Sequence, residues 1–332
     1  MKITQSLILD PPIKSLNHHA MFLGVLFLNP TYKNHFLTHY ANLYYDFNFK
    51  LVNFISPKFY TEESFFVSTE IGYDNPDIVS EKYFFELIQH MMNEGYYIYG
   101  NVNEKYIPNR DAYQKHDLTH NILFYGLDTV DKKFDSIAYI HEMDSSFQYK
   151  PEKLDYYNFI NSIKNTHEES YTHFSKNYIH FFKNKPSYSF SFDARLLLTQ
   201  LDDYLSSKNT TFSTQCNPNR VYGICVYDAI IAMFKASEEI NLRTTKLLLE
   251  HKQCMLQKIE YIILKNIIHP QSYTSEYKKI VRAFDKVHLL AIKYNLTKSK
   301  SIKEALYAEI KHSIEKEEKI LGKVLIDLSS VK

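Results

Sequence analysis

The chain has no tryptophan, only seven glycines and three cysteines in 332 residues, and its 39 Lys and Arg nearly cancel its 38 Asp and Glu. Each shortage excludes something. Without a basic excess or a long basic run there is no electrostatic footprint for nucleic acid. No Gly-rich loop of the phosphate-binding or dinucleotide type occurs, nor H-E-x-x-H or Cys-x-x-Cys, so no metal or cofactor is expected. Cys216, Cys225 and Cys254 have neither ligand spacing nor a disulfide framework, and each reads as a small buried hydrophobe. No run of about 18 apolar residues offers a membrane span, and the opening MKITQSLILDPPIK has too short an apolar run for a secretory signal. A cytoplasmic protein is the expectation.

What is present is core material. Hydrophobic residues make up 45% of the chain, with 28 Tyr and 23 Phe, enough for one large domain or two. The pattern changes near residue 185. Before it, helices and strands mix: a helix from His18 to Leu28 stopped by Asn29-Pro30, an aromatic stretch Tyr40 to Phe49, and an alternating strand Phe65 to Glu70. A helix Ser80 to Asn93, capped by Ser80 and closed at Gly95, precedes the strand Tyr96 to Val102, the hairpin His120 to His141 and a helix Lys153 to Asn165. This order is α+β.

Beyond Phe190 the periodicity is helical. Asp193 caps a helix carrying Leu196 to Leu205, and others are expected over Val221 to Lys235, Asn241 to Ile268 ended by Pro270, Ser275 to Tyr294, and Ser301 to Leu328. Five such helices should pack as a bundle, giving domains 1–185 and 186–332. Tyr227-Asp228 and Arg243 read as polar links inside it. His251-Lys252 and the charge run Glu315 to Lys319 read as solvated helix faces.

Two places could carry chemistry. His120 stands at the mouth of the hydrophobic strand Ile122-Leu123-Phe124, followed by a Gly126-containing hairpin. The segment Lys14 to Leu26 turns from polar to continuously apolar at Ala20, as where a loop enters a buried helix. Papain-type chemistry needs a thiolate, an imidazole to exchange its proton, and a third group to hold the tautomer; the thiol gains from a helix N-terminus, where backbone N–H groups lower its pKa and bind an oxyanion.

On these residues the first half resembles the N-terminal domain of the butirosin biosynthesis protein H family, itself similar to the papain-like peptidases that process bacteriocin leaders. The motifs are Gly95-Tyr96-Tyr97-Ile98 and the H-x-h-h-h-x-G-h-D hairpin His120 to Asp128, where h is apolar. The second half, with Tyr222 to Asp228, Leu242-Arg243 and Glu250 to Lys252, resembles the helical extension of Firmicutes members found beside thiotemplated biosynthesis genes. The resemblance implies a papain-like fold and amide-forming acyl transfer from a carrier-protein phosphopantetheine thioester to an amine. Ala20 then occupies the nucleophile slot, by nature or by an introduced change, and the chain as written lacks covalent turnover. His120 would shuttle the proton. The third member should follow on the return strand; Tyr139 falls in that register, Asp135, Glu142 and Asp144 are displaced alternatives, and Glu142 is the choice. Asn17 reads as a helix cap or an oxyanion donor, His19 as a neighbour of the pocket, and Tyr97 and Tyr99 as sheet packing or acyl contacts. A non-catalytic carrier- or peptide-binding protein of the same fold and a cysteine peptidase are the alternatives; a homodimer through the helical half is possible.

Overall fold

The computed structural model describes residues 1–56, 65–72, 80–141, 147–166, 178–185, 188–212, 216–269 and 272–330. In chain order its elements are β1 (Lys2–Thr4), α1 (Asn17–Leu26), α2 (Tyr32–Thr38), β2 (Asn42–Asp46), β3 (Leu51–Ile55), β4 (Phe66–Gly72), α3 (Glu81–Asn93) and β5 (Tyr97–Asn103). Then come β6 (Thr119–Asp128), β7 (Lys133–His141), β8 (Phe147–Asp155), α4 (Tyr156–Lys164) and β9 (Tyr178–Asn184). The remainder is α5 (Ala194–Leu205), β10 (Arg220–Tyr222), α6 (Val226–Ala236), α7 (Leu242–Leu264), α8 (Ser272–Thr297) and α9 (Lys300–Ser329). Among the described residues all strand pairings are antiparallel and the last third is helical, an α+β arrangement. Among the described residues no helix is long and apolar enough to cross a membrane.

The chain forms two compact units, Met1–Pro30 with Phe59–Tyr188 and Thr31–Lys58 with Ser189–Lys332. A linear division at residue 185 is thus crossed by Thr31–Lys58, which belongs with the helices. The reason is local: β10 pairs with β2, and Lys258 of α7 donates to the carbonyls of Phe36 (2.9 Å), Leu37 (3.2 Å) and His39. Those carbonyls end α2 and have no helical partner of their own, so the buried Lys258 amino group satisfies them.

In the first unit the sheet runs β4-β9-β5-β6-β7-β8, with β1 also pairing with β6. Alternation along β6 sorts its side chains between two faces. Tyr99 pairs with Leu123, and Phe22 of α1 packs on Tyr99 (5.1 Å between centroids) and on Phe182 (5.0 Å), so α1 covers that face. Phe124 belongs to the other face and packs on Phe134 (4.4 Å) and on Phe159 of α4 (4.7 Å). Gly95 closes α3 at φ +85°, a conformation that costs a glycine little. The helix expected from Lys153 begins only at Tyr156, because β8 continues through Asp155, whose side chain then caps the Tyr157 N–H at 2.8 Å. Ser80 sits at the N-cap of α3 without a side-chain capping bond.

In the second unit the five expected helices are present, and Asp193 caps α5 through Leu196 N. Pro270 lies outside the described residues. The expectation of a solvated face at His251-Lys252 is corrected, whereas the run Glu315 to Lys319 is exposed as expected except at Glu317. His251, Lys252 and Glu317 are fully buried, because Lys252 Nζ pairs with Glu317 Oε2 at 2.5 Å and the Tyr204 and Tyr277 hydroxyls donate to the same carboxylate. Of the cysteines only Cys254 is buried; Cys216 and Cys225 are exposed.

Two measurements follow. Glu317→Leu strands the Lys252 ammonium and should cost about 3–5 kcal/mol in urea unfolding, with Lys252→Met in the same chain recovering most of it. Burial lowers Lys258 from 10.5 to about 7. The unfolded chain therefore binds the extra proton between those values, and stability should rise with pH across that window by at most ~1.4 kcal/mol per pH unit. Lys258→Met should flatten this rise; an unchanged slope of unfolding free energy between about pH 7 and 9.5 would refute it.

Candidate functional site

In the first unit a connected cluster of charged and titratable side chains forms around buried Glu104 and Arg110. β5 ends at Asn103, and a single 3₁₀ turn, Glu104–Tyr106, follows. The Asn103 side chain accepts from Lys105 N (3.2 Å) and Leu118 N (3.3 Å), and Glu104 N donates to Leu118 O at 2.8 Å, so the turn is tied to the segment entering β6. Because β5 and β6 are antiparallel, with Val102 opposite His120, the residue just past the end of β5 arrives beside the first residues of β6. His120 Nδ1 lies 3.0 Å from Glu104 Oε1. Arg110 Nε lies 3.5 Å from the same oxygen, and Arg110 Nη2 hydrogen-bonds Glu152 Oε1. Glu104 and Arg110 are buried, whereas the His120 side chain keeps 34% of its surface exposed. Burial pushes the Glu152 carboxyl up, against the pull of Arg110 and with help from Glu104.

Position 20 has a different setting. α1 begins at Asn17 with Leu16 in the cap position, so Ala20 is one turn inside the helix and fully buried. Its N–H already donates to Leu16 O at 2.9 Å and is not free to bind an oxyanion. Asn17 is therefore not the cap; its Nδ2 donates to Asn121 O at 2.9 Å and fastens α1 to β6. His19 is buried with its ring 4.5 Å from that of His18. Tyr97 and Tyr99 are core residues, Tyr97 donating to Ser6 O and Tyr99 packing on Phe22.

These residues do not share one side of the sheet. His120, two residues before Ile122 and four before Phe124, points to the face covered by α4, whereas α1 covers the face of Tyr99 and Leu123. Asp135 sits at the far end of β6, opposite Gly126, with Lys2 (3.4 Å) and Lys153 (3.3 Å) on its carboxylate. Tyr139 pairs with Tyr149 in the β7–β8 ladder. Glu142 and Asp144 lie outside the described residues. The carboxylate beside His120 is Glu104, which a search downstream of the histidine passes over. Its signal was the strand pairing: the Tyr-rich strand and the His120 strand had only to be read as antiparallel neighbours.

All three cysteines belong to the second unit, so the first holds no thiol. Among the described residues no group of three or more His, Cys, Asp or Glu could hold a metal ion. Comparison of the chain with family models and with curated proteins finds no match to either.

Arg110 stands between the buried carboxylate of Glu104 and the part-buried one of Glu152. Arg110→Met should cost about 3–5 kcal/mol in urea unfolding, and adding Glu152→Gln should restore part of it. A loss below about 1 kcal/mol would mean that the pair is not desolvated as described.

Proposed function

We propose that the chain is a non-catalytic binding protein of the papain-like acyltransferase type, whose ligand is a carrier-protein thioester or a peptide and which forms no covalent acyl intermediate. The observation that carries this reading is Ala20: a methyl group in the nucleophile slot, fully buried, with its N–H bonded to Leu16 and its helix packed on the opposite sheet face from His120. Covalent acyl transfer needs a thiolate within reach of the imidazole and free N–H donors for the oxyanion, and position 20 supplies neither. The papain-like assignment and the ligand class rest on the sequence resemblance at Gly95 to Ile98 and His120 to Asp128.

A second reading is amide-forming acyl transfer with cysteine at position 20 and His120 as base. It is favoured by the carboxylate held 3.0 Å from His120 Nδ1, an arrangement general bases use. Ala20→Cys offered an acyl pantetheine thioester separates the two by intact mass. The binding reading expects no acyl adduct on residue 20, while a carrier protein loaded with the same thioester binds the parent chain in isothermal titration. One acyl mass on residue 20, lost when His120→Ala is added, establishes the transfer reading instead. Absence of any heat with either carrier or peptide removes the binding reading.

A further inference from the structure

We infer that Glu104 is a positioning residue that holds the neutral His120 ring with its proton on Nδ1, leaving Nε2 as a proton-accepting atom at the surface of the first unit, at a site separate from position 20. Both Glu104 oxygens are buried and neither receives an aligned hydrogen bond. A buried carboxylate takes the nearest available N–H, because leaving it unsatisfied costs the full desolvation penalty. Two donors are near Oε1: Arg110 Nε at 3.5 Å and His120 Nδ1 at 3.0 Å. Arg110 directs its Nη2 to Glu152, so the guanidinium cannot turn its fork onto Glu104 without abandoning that bond. The imidazole is the closer donor. The opposite tautomer would set a nitrogen lone pair against a carboxylate oxygen at 3.0 Å in a buried position, where repulsion is least screened.

The rest follows from ring geometry. With Nδ1 buried and turned inward and about a third of the side chain exposed, the outward edge of the ring carries Nε2. Strand alternation sets that edge on the Ile122–Phe124 side of the sheet, away from α1. At that edge Nε2 can accept a proton from a ligand that brings an amine, a hydroxyl or a thiol. Which nitrogen holds the proton does not depend on whether the chain binds or transfers an acyl group; the separation of Nε2 from position 20 belongs with the binding reading.

Long-range 1H–15N correlation spectra of the full chain test it at a pH where the rings are neutral. His120 is picked out of the 15 histidines by its loss in His120→Asn. The parent should show the Nδ1–H form. Glu104→Leu should move His120 toward the Nε2–H form that a free imidazole prefers, and Glu104→Gln, whose amide oxygen can accept in the same place, should retain Nδ1–H. A parent spectrum showing Nε2–H, or a folded Glu104→Leu chain with the tautomer unchanged, overturns the assignment; should Glu104→Leu not fold, the parent and Glu104→Gln spectra decide. Diethyl pyrocarbonate checks the open edge: peptide mapping of the folded parent should find His120 modified, and protection equal to that of fully buried His251 would overturn the exposed Nε2.

Discussion

The helical unit depends on one buried ion pair. Lys252 of α7 and Glu317 of α9 meet with no solvent exposure, and Tyr204 of α5, Tyr227 of α6 and Tyr277 of α8 complete the contacts, so each of the five helices contributes one side chain. Burial draws Lys252 down to about 8 against the pull of Glu317, and it pushes the three phenols well above their ordinary value, which keeps them protonated and able to donate. The ammonium also faces the rings of Tyr227 (4.6 Å), Phe284 (4.9 Å) and Tyr204 (5.4 Å). A helix slipped by one residue turns by about 100° and withdraws its member from this cluster, leaving a buried charge or hydroxyl without a partner. Hydrophobic packing alone tolerates several registers of five amphipathic helices. The polar cluster penalises all but one.

The same logic accounts for the path of the chain between residues 31 and 58. α2 is a seven-residue helix, too short to be stable on its own, and its last carbonyls face the interior of the helical unit. Lys258 Nζ meets three of them, and His251 meets the Ala41 carbonyl at 3.0 Å two turns earlier on α7. Gln200 of α5 donates to Thr38 O at 3.1 Å, and Asn42 donates to Lys208 O at 2.9 Å. The ion pair of Arg220 with buried Asp46, at 2.8 Å, then joins β10 to β2. His35 and His39 adjoin the Lys258 amino group, and burial together with Lys258 lowers them to about 4 and about 2, so they stay neutral beside it. The carbonyls of Phe36, Leu37, Thr38, His39 and Ala41 find their partners on α5 and α7, which is why these residues fold with helices that follow them by well over a hundred positions.

How much of this was legible in the sequence depends on the kind of signal. The long helices were legible because leucine and isoleucine recur at three- and four-residue steps over many turns, and Asp193 and Asn241 mark two of their starts by side-chain capping. The β6–β7 hairpin was legible from its hydrophobic run. β8 and β9 were not, since Phe147–Asp155 carries a proline and four charged residues and Tyr178–Asn184 is a short aromatic run that fits strand or helix equally. Buried charge was the largest gap. Glu317 lies inside Glu315 to Lys319 and Lys252 follows His251, so each looks like part of a polar face; only the partner on another helix shows that it is interior, and no local pattern contains the partner.

The candidate site illustrates the same limit within a single strand. The run from His120 to Asp128 reads as one motif, but a strand divides its residues between two faces at every step. Asn121 serves the side of α1: its carbonyl accepts from Asn17 and its amide donates to Asn101, which it pairs with on β5. His120, one position earlier, serves the other side with Ile122 and Phe124, where Glu104, Arg110 and Glu152 gather. A reading along the chain joins His120 to the nearest polar-to-apolar boundary, Ala20, because both mark the mouths of buried elements. The sheet separates them, and it assigns to the histidine a carboxylate sixteen residues upstream that antiparallel pairing brings to 3.0 Å. What fixes the chemistry of His120 is therefore the pairing of β5 with β6, and any role for the imidazole has to be worked out from the α4 face of the sheet.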